Sequence, residues 1–236
     1  MSFQQIIAVL EKHYGRPQPP KRDPLGLIIW ENIGYLVDDA RRKIAFEELE
    51  RTTHLKPTAI LATSLAELTR IAKLGGIHEG LRAQRLKEIA HIALNEFDGD
   101  LSSILKLSRP KAIKALKQFP SIGDPGAEKI LLFAGAHSIL AVESNGLRVL
   151  LRLGFGEEKK SYSASYKSVQ AALENQVGNN REFLIAAHQL LRQHGQELCK
   201  RSNPRCAECP VRKTCEYFLQ TFAVRNSSDP LYDKGR

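Results

Sequence analysis

The chain has 236 residues, enough to bury a core in one domain or two small lobes, and 42% of them are hydrophobic, as in an ordinary folded protein. Lys and Arg outnumber Asp and Glu by 35 to 26, and the resulting net charge of +9 favours polyanionic partners such as nucleic acid. No apolar run is long enough to span a bilayer, and the N-terminus lacks the basic-then-apolar pattern of a signal peptide, so a cytoplasmic protein with no membrane partner is expected.

Taken in chain order, the hydrophobic rhythm is helical. Phe3, Ile6, Ile7 and Leu10 share one helix face, and after the Pro-rich PQPPKRDP the stretch from Leu25 to Leu49 reads as one or two longer helices. Ser64 and Glu67 have capping-box spacing ahead of Leu68 and Ile71, and LRAQRLKEIAHIALNEF is amphipathic with a Gly-containing stop after it. Helical spacing continues through KAIKALKQF, AEKILLFAGA, NGLRVLLRLG, SYKSVQAALENQV and REFLIAAHQLLRQHG, and period-2 strands are absent. An all-α protein with its chemistry on loops follows, and residues 221–236 read as a polar tail.

The stretch KQFPSIGDPGAEKILLFAGA, residues 117–136, reads as a helix ending near Phe119, a tight turn Pro120-Ser121-Ile122-Gly123 whose Gly tolerates positive φ, and a new helix with Asp124 as N-cap and Pro125 as its first residue. Such a turn points successive backbone N–H groups and a helix dipole at one spot, which is an anion site. Lys106, Arg109, Lys111, Lys114 and Lys117 precede the turn with no acid among them.

All 4 cysteines lie in CKRSNPRCAECPVRKTC. In a reducing compartment, clustered thiols serve as metal ligands more often than as disulfides. Cys206 and Cys209 can ligate from one tight turn while Cys199 and Cys215 reach back to them, and this spacing suits either a cubane iron–sulfur cluster or a structural zinc ion. The same loop carries Lys200, Arg201, Arg205, Arg212 and Lys213 against the single acid Glu208, a balance suited to a phosphate backbone.

The hairpin, then AVESNGLRV, then the C-x6-C-x2-C-x5-C loop, with HG before it and EYF after it, resemble in this order the helix-hairpin-helix DNA glycosylases of the endonuclease III and adenine-mismatch type. The resemblance implies a two-lobed HhH-GPD glycosylase fold with a cleft. A six-helix barrel lobe would span 25–138, with the helix-hairpin-helix at about 107–136. Residues 1–24 and 139–220 would form the cluster lobe, with the loop 199–215 holding a 4Fe–4S cluster through Cys199, Cys206, Cys209 and Cys215. It implies binding of duplex DNA containing a lesion or mismatch by a monomer, flipping of one nucleotide and cleavage of its base–sugar bond. Contacts to DNA are implied for Ser121, Ile122, Gly123, Tyr35, Asn145, Arg201, Arg205, Arg212 and Lys213.

Three departures from the family pattern shape the expected chemistry. Ser121 stands for the first Gly of the family's LPGVG hairpin, and Pro125 stands where bifunctional members carry a lysine that attacks the sugar; a prolyl ring has no side-chain amine, so that lyase route is closed. Glu143 replaces the catalytic aspartate and reaches about 1.5 Å farther. It can still stabilise positive charge developing on the sugar, although its alternative part is an ordinary acid at a helix start capped by Ser144. Asn145 matches an asparagine that holds the carboxylate or sugar. Glu31 falls where the mismatch glycosylases have a glutamate that protonates the leaving base, and beside Trp30 its carboxyl is expected to be desolvated. Tyr35 stands where a glutamine fills the gap in the duplex, and His78 and Arg82 fall in a loop where relatives contact the lesion or the opposite strand. With little chain after Cys215, no separate C-terminal recognition domain is expected. The expected activity is monofunctional hydrolysis of the N-glycosidic bond in base excision repair; the alternative is a catalytically inactive helix-hairpin-helix protein that recognises damaged or branched DNA.

Overall fold

A computed structural model describes residues 1–19 and 22–227, with no side-chain description for 222–227. Helices account for nearly all of the regular structure: α1 Phe3–Tyr14, α2 Pro24–Ile33, α3 Asp39–Thr53, α4 Pro57–Ala62, α5 Leu65–Leu74, α6 Glu79–Phe97, α7 Arg109–Leu116, α8 Asp124–Phe133, α9 Ser144–Arg152, α10 Tyr162–Val177, α11 Arg181–Glu197 and α12 Glu216–Ser227. Short 3-10 turns occupy Leu101–Lys106, Cys206–Glu208 and Arg212–Thr214. The only departure from helix pairing among the described residues is one isolated parallel bridge between Tyr35 and Gly76.

Helix starts follow local side-chain chemistry. Asp23 Oδ1 accepts from Gly26 N at 2.7 Å with Pro24 as first helical residue, Asp38 caps α3, Ser64 caps α5 and Asn180 caps α11. The break in 25–49 falls between Ile33 and Asp39, so this stretch is two helices. The polar tail expected from residue 221 begins as helix, because α12 continues to Ser227; residues 228–236 lie outside the described residues.

The chain divides into two compact units, Pro20–Ile139 and Met1–Pro19 with Leu140–Arg236. In the first, α2, α4 and α5 pack on α6, and α2 also meets α3 and α8. Their apolar faces, from Ile28, Ile29 and Ile33 to Leu86, Ile89, Leu116, Ile130 and Leu131, close one core. This unit holds seven α-helical segments, α2 to α8, among the described residues, of which α4 spans only 6 residues. In the second unit α9 lies along α11, with α1 across α10 and α11, and Phe3 meets Phe155 and Phe183 edge-on at 6.2 and 5.8 Å. The approach of α9 to α11 depends on Gly195, where a Cβ would stand 2.6 Å from the carbonyl oxygen of Asn145.

Candidate functional site

In the hairpin, α7 and α8 flank the turn. Positive φ falls on Ser121 (φ 62), whereas Gly123 is extended at φ −96 and serves as the N-cap of α8. Both points correct the sequence reading, which placed the glycine's freedom at 123 and the cap at Asp124. Asp124 instead reaches Lys117 in a 2.7 Å ion pair. Ile122 is buried and belongs to the core, and its N–H donates to Phe119 O, so it offers no side chain to a ligand. Since Gly123 has no side chain, α8 starts without a side-chain cap, and its first-turn N–H groups are open to an anion. Arg109 is held by buried Glu128 at 2.7 Å. No ion pair among the described residues holds Lys106, Lys111 or Lys114.

Glu31 sits in the last turn of α2. Its carboxylate meets Lys129 of α8 at 2.6 Å, each side chain being 20% exposed. The expected desolvated acid is therefore an ion-paired carboxylate, because α8 brings an ammonium to the place where only apolar neighbours were read. Next to it Asn32 donates to both Ile28 O and Pro120 O at 3.0 Å, fastening the end of α2 to the hairpin turn, and Asn32 Oδ1 is buried without a partner. Trp30 packs edge-on against Phe46 with the Arg22 guanidinium 4.0 Å over its ring.

Tyr35 lies beyond α2, 48% exposed, and faces His78 with ring centroids 5.7 Å apart. Its N–H donates to Gly75 O, which ties two loops together and leaves Leu36 (77% exposed, φ 53) and Ile77 standing beside it. These two apolar tips were invisible to periodicity, since neither belongs to a helix face. Arg82 is the opposite case: read as a loop residue near DNA, it sits in the first turn of α6, 2% exposed, donating to the carbonyls of Ile33, Gly76 and Ile77. It stitches the loop from within.

In the second unit Glu143, not Ser144, is the N-cap of α9. Oε1 accepts from Gly146 N at 2.8 Å and Oε2 from Asn145 Nδ2 at 2.9 Å. Asn145 Oδ1 in turn accepts from Arg148 at 2.8 Å, and Arg148 donates to the carbonyls of Gly195 and Cys199 at 2.7 and 2.9 Å. A continuous polar chain thus runs from the carboxylate to the cysteine loop. Arg148 gave no signal in the sequence beyond being a polar residue at i+3 from Asn145. Nearby, burial and then the charge of Glu143 push the Tyr162 phenol up to about 12.

The four thiols are free and line one cavity with Val149, Leu153, Leu198, Val211 and Phe218. Among the described residues no three His, Cys, Asp or Glu side chains converge as a single-ion site would require. Four thiols with no carboxylate on one apolar-walled cavity are a donor set that suits an iron–sulfur cluster or a zinc ion. Burial pushes the thiols of Cys206, Cys209 and Cys215 up, that of Cys209 to about 11, so loading a metal group would release protons. Arg152 lies 3.4 Å from Cys199 Sγ, and His194 lies 3.5 Å from Cys209 Sγ while its other ring nitrogen meets Tyr14 Oη at 2.9 Å. Arg201, Arg205, Arg212 and Lys213 are exposed, and Arg205 holds the loop's one acid, Glu208.

Fold and site together define a helix-hairpin-helix protein with a four-cysteine loop. No family model matches the chain. Endonuclease III of Sulfolobus acidocaldarius is 26% identical over 182 residues, 77% of this chain and 76% of that protein. Thymine/uracil-DNA glycosylase of Methanothermobacter thermautotrophicus is 26% identical over 161 residues, 67% of this chain and 66% of its own length. A solved non-covalent endonuclease III–DNA complex superposes with a TM-score of 0.74 at 20% identity, covering 94% of this chain and 99% of that one. In sequence the chain is thus similar to endonuclease III and to a thymine/uracil-DNA glycosylase, and it shares its all-α fold with solved endonuclease III.

Proposed function

We propose that this member releases a damaged or mispaired base from duplex DNA by hydrolysing the N-glycosidic bond, with no amine chemistry from position 125. The observation that carries this reading is Glu143. Hydrogen bonds from Gly146 N to Oε1 and from Asn145 Nδ2 and Ser144 Oγ to Oε2 fix the carboxylate while leaving acceptor capacity on Oε1, since an ionised carboxylate has about four lone-pair sites. Breaking the base–sugar bond puts positive charge on the sugar, and an anion already held in place stabilises that charge without reorganising. Glu31 handles the proton at the departing base by relaying one from the Lys129 ammonium with which it is paired. Tyr35, with Leu36 and Ile77 beside it, wedges into the gap left by the displaced nucleotide.

The backbone is held by two features. Ser121 and Gly123 present the open start of α8 to a phosphate, and Arg201, Arg205, Arg212 and Lys213 present fixed charge from the cysteine loop. Cys199, Cys206, Cys209 and Cys215 would hold a 4Fe–4S cluster that pins this loop's shape. Asn145 acts on Glu143 as a positioning residue. The protein is proposed to work as a monomer.

One observation favours a second reading, a non-enzymatic protein that binds damaged or branched DNA: the Glu143 carboxylate already has a structural task as the N-cap of α9. The test is base release from duplexes bearing uracil, mismatched thymine, oxidised pyrimidines or alkylated purines, using protein prepared without oxygen and assayed for iron and sulfide. Release from one substrate, lost in Glu143→Gln, supports the glycosylase; tight binding with no release from any substrate supports the second reading.

A further inference from the structure

The last turn of α1 reaches the cysteine loop through a buried imidazole. Phe3, Ile6, Ile7 and Leu10 bury one face of α1, which fixes where its end lies, and Tyr14 stands at that end just before the Gly15 stop. From there Tyr14 Oη meets His194 Nδ1 at 2.9 Å, with the two rings edge-on at 5.9 Å. The other ring nitrogen, Nε2, lies 3.5 Å from Cys209 Sγ. His194 is 1% exposed, so desolvation keeps its ring neutral and leaves it a single N–H. A metal-bound cysteine is a thiolate, which accepts hydrogen bonds and has none to give. That N–H therefore sits on Nε2 and donates to sulfur, Nδ1 is the acceptor, and the Tyr14 hydroxyl donates to it. Arg152 beside Cys199 Sγ differs, because its guanidinium is charged in every state and also donates to Lys200 O. An imidazole can turn either a proton or a lone pair toward sulfur, and its second partner decides which.

We infer that Tyr14 is a positioning residue for the cofactor: by donating to Nδ1 it commits the His194 Nε2–H to Cys209, and α1 thereby sets the reduction potential of a cluster held by the loop. This rests on the proposed 4Fe–4S reading of the four cysteines. An N–H bond to sulfur draws negative charge from the thiolate and stabilises the reduced, more negative state over the oxidised one, so it raises the potential. Reduction takes up one electron from outside the protein and moves no proton at His194. Without the phenol, the ring proton is free to shift to Nδ1. Nε2 then presents a lone pair to the thiolate, and repulsion replaces attraction. Burial keeps the difference from being screened, since the ring has almost no solvent to supply another donor.

The test compares the full chain, prepared without oxygen and assayed for iron and sulfide, with Tyr14→Phe, which keeps the ring and deletes the hydroxyl. Voltammetry of the loaded proteins should give a lower midpoint in Tyr14→Phe, by on the order of a tenfold change in the reduced-to-oxidised ratio at a fixed potential, about 59 mV for one electron. His194→Leu removes the N–H itself and should lower the midpoint at least as far. In the His194→Leu background Tyr14→Phe should change nothing further, since Tyr14 acts through the ring. A merely structural role for Tyr14 would lower the unfolding midpoint and leave the potential at its native value. A loaded Tyr14→Phe chain with the native potential, or an equal shift in both backgrounds, overturns the inference and leaves the cluster reading intact. If His194→Leu does not take up the cluster, Tyr14→Phe alone decides. A native chain that holds zinc, or that lacks iron and sulfide, overturns both.

Discussion

Glu143→Gln separates the two tasks assigned to one carboxylate. In the folded protein Oε1 accepts from Gly146 N at 2.8 Å, and a glutamine oxygen can accept the same bond. What the variant loses in stability is the interaction of a negative charge with the start of α9, worth about 0.3–1 kcal/mol, and the bond from Asn145 Nδ2, which an amide nitrogen cannot accept, worth about 0.5–1.5 kcal/mol. For a chain of this size that corresponds to a fall in Tm of at most about 10 °C. If the carboxylate stabilises charge on the sugar, losing its charge costs on the order of 10²–10³ in rate, roughly 3–4 kcal/mol. The two effects differ enough to be read independently. Single-turnover base release at saturating protein removes any contribution from DNA affinity, and thermal unfolding of the same samples gives the stability change. Glu143→Ala supplies the cap loss, about 1 kcal/mol beyond the glutamine variant. Base release by Glu143→Gln within threefold of native, with Glu143→Ala destabilised as expected, would refute the catalytic assignment and leave a helix cap.

Further expectations follow from the same structure. Ser121 holds φ 62 without glycine's freedom, so Ser121→Gly should raise stability by up to about 1 kcal/mol in thermal unfolding, and a fall would show that the hydroxyl has an unrecognised role. Arg82→Ala leaves the buried Ile33 carbonyl and the part-buried carbonyls of Gly76 and Ile77 without their donor and should cost about 2–3 kcal/mol in urea unfolding, and Arg82→Lys should not restore the loss because a single ammonium cannot reproduce the guanidinium fork. A loss below about 1 kcal/mol would count against its stitching role. Tyr162, pushed up from 10.0 to about 12, keeps its proton in the folded chain after an unfolded chain has lost it. Its contribution is therefore present below pH 10 and lost as pH rises toward 12. Phenolate absorbance should show this midpoint, and Glu143→Gln should lower it; no movement in that variant would separate Tyr162 from the Glu143 charge. Tyr35→Ala should weaken lesion-duplex binding with the unfolding midpoint unchanged, since nearly half of the ring is already in solvent.

What the sequence determined by itself was what lies within one or two helical turns. Apolar spacing placed the helices, Ser64 and the Pro-Gly punctuation placed several of their ends, and the cysteine spacing marked the loop, because each of these signals acts between residues a few positions apart. The all-α class and the order of hairpin, Glu143 segment and cysteine loop were legible for the same reason. Tertiary structure decided which polar groups meet. Arg148 donates to Cys199 O across 51 positions, Arg82 to Ile33 O across 49, and Asn32 to Pro120 O across 88. It also brought Lys129 of α8 to Glu31 of α2, buried Ile122 in the core, and moved the strained φ of the turn to Ser121. Periodicity says which face of a helix is buried and leaves open which helix that face will meet, so the identity of a charge's partner is set only when the helices pack.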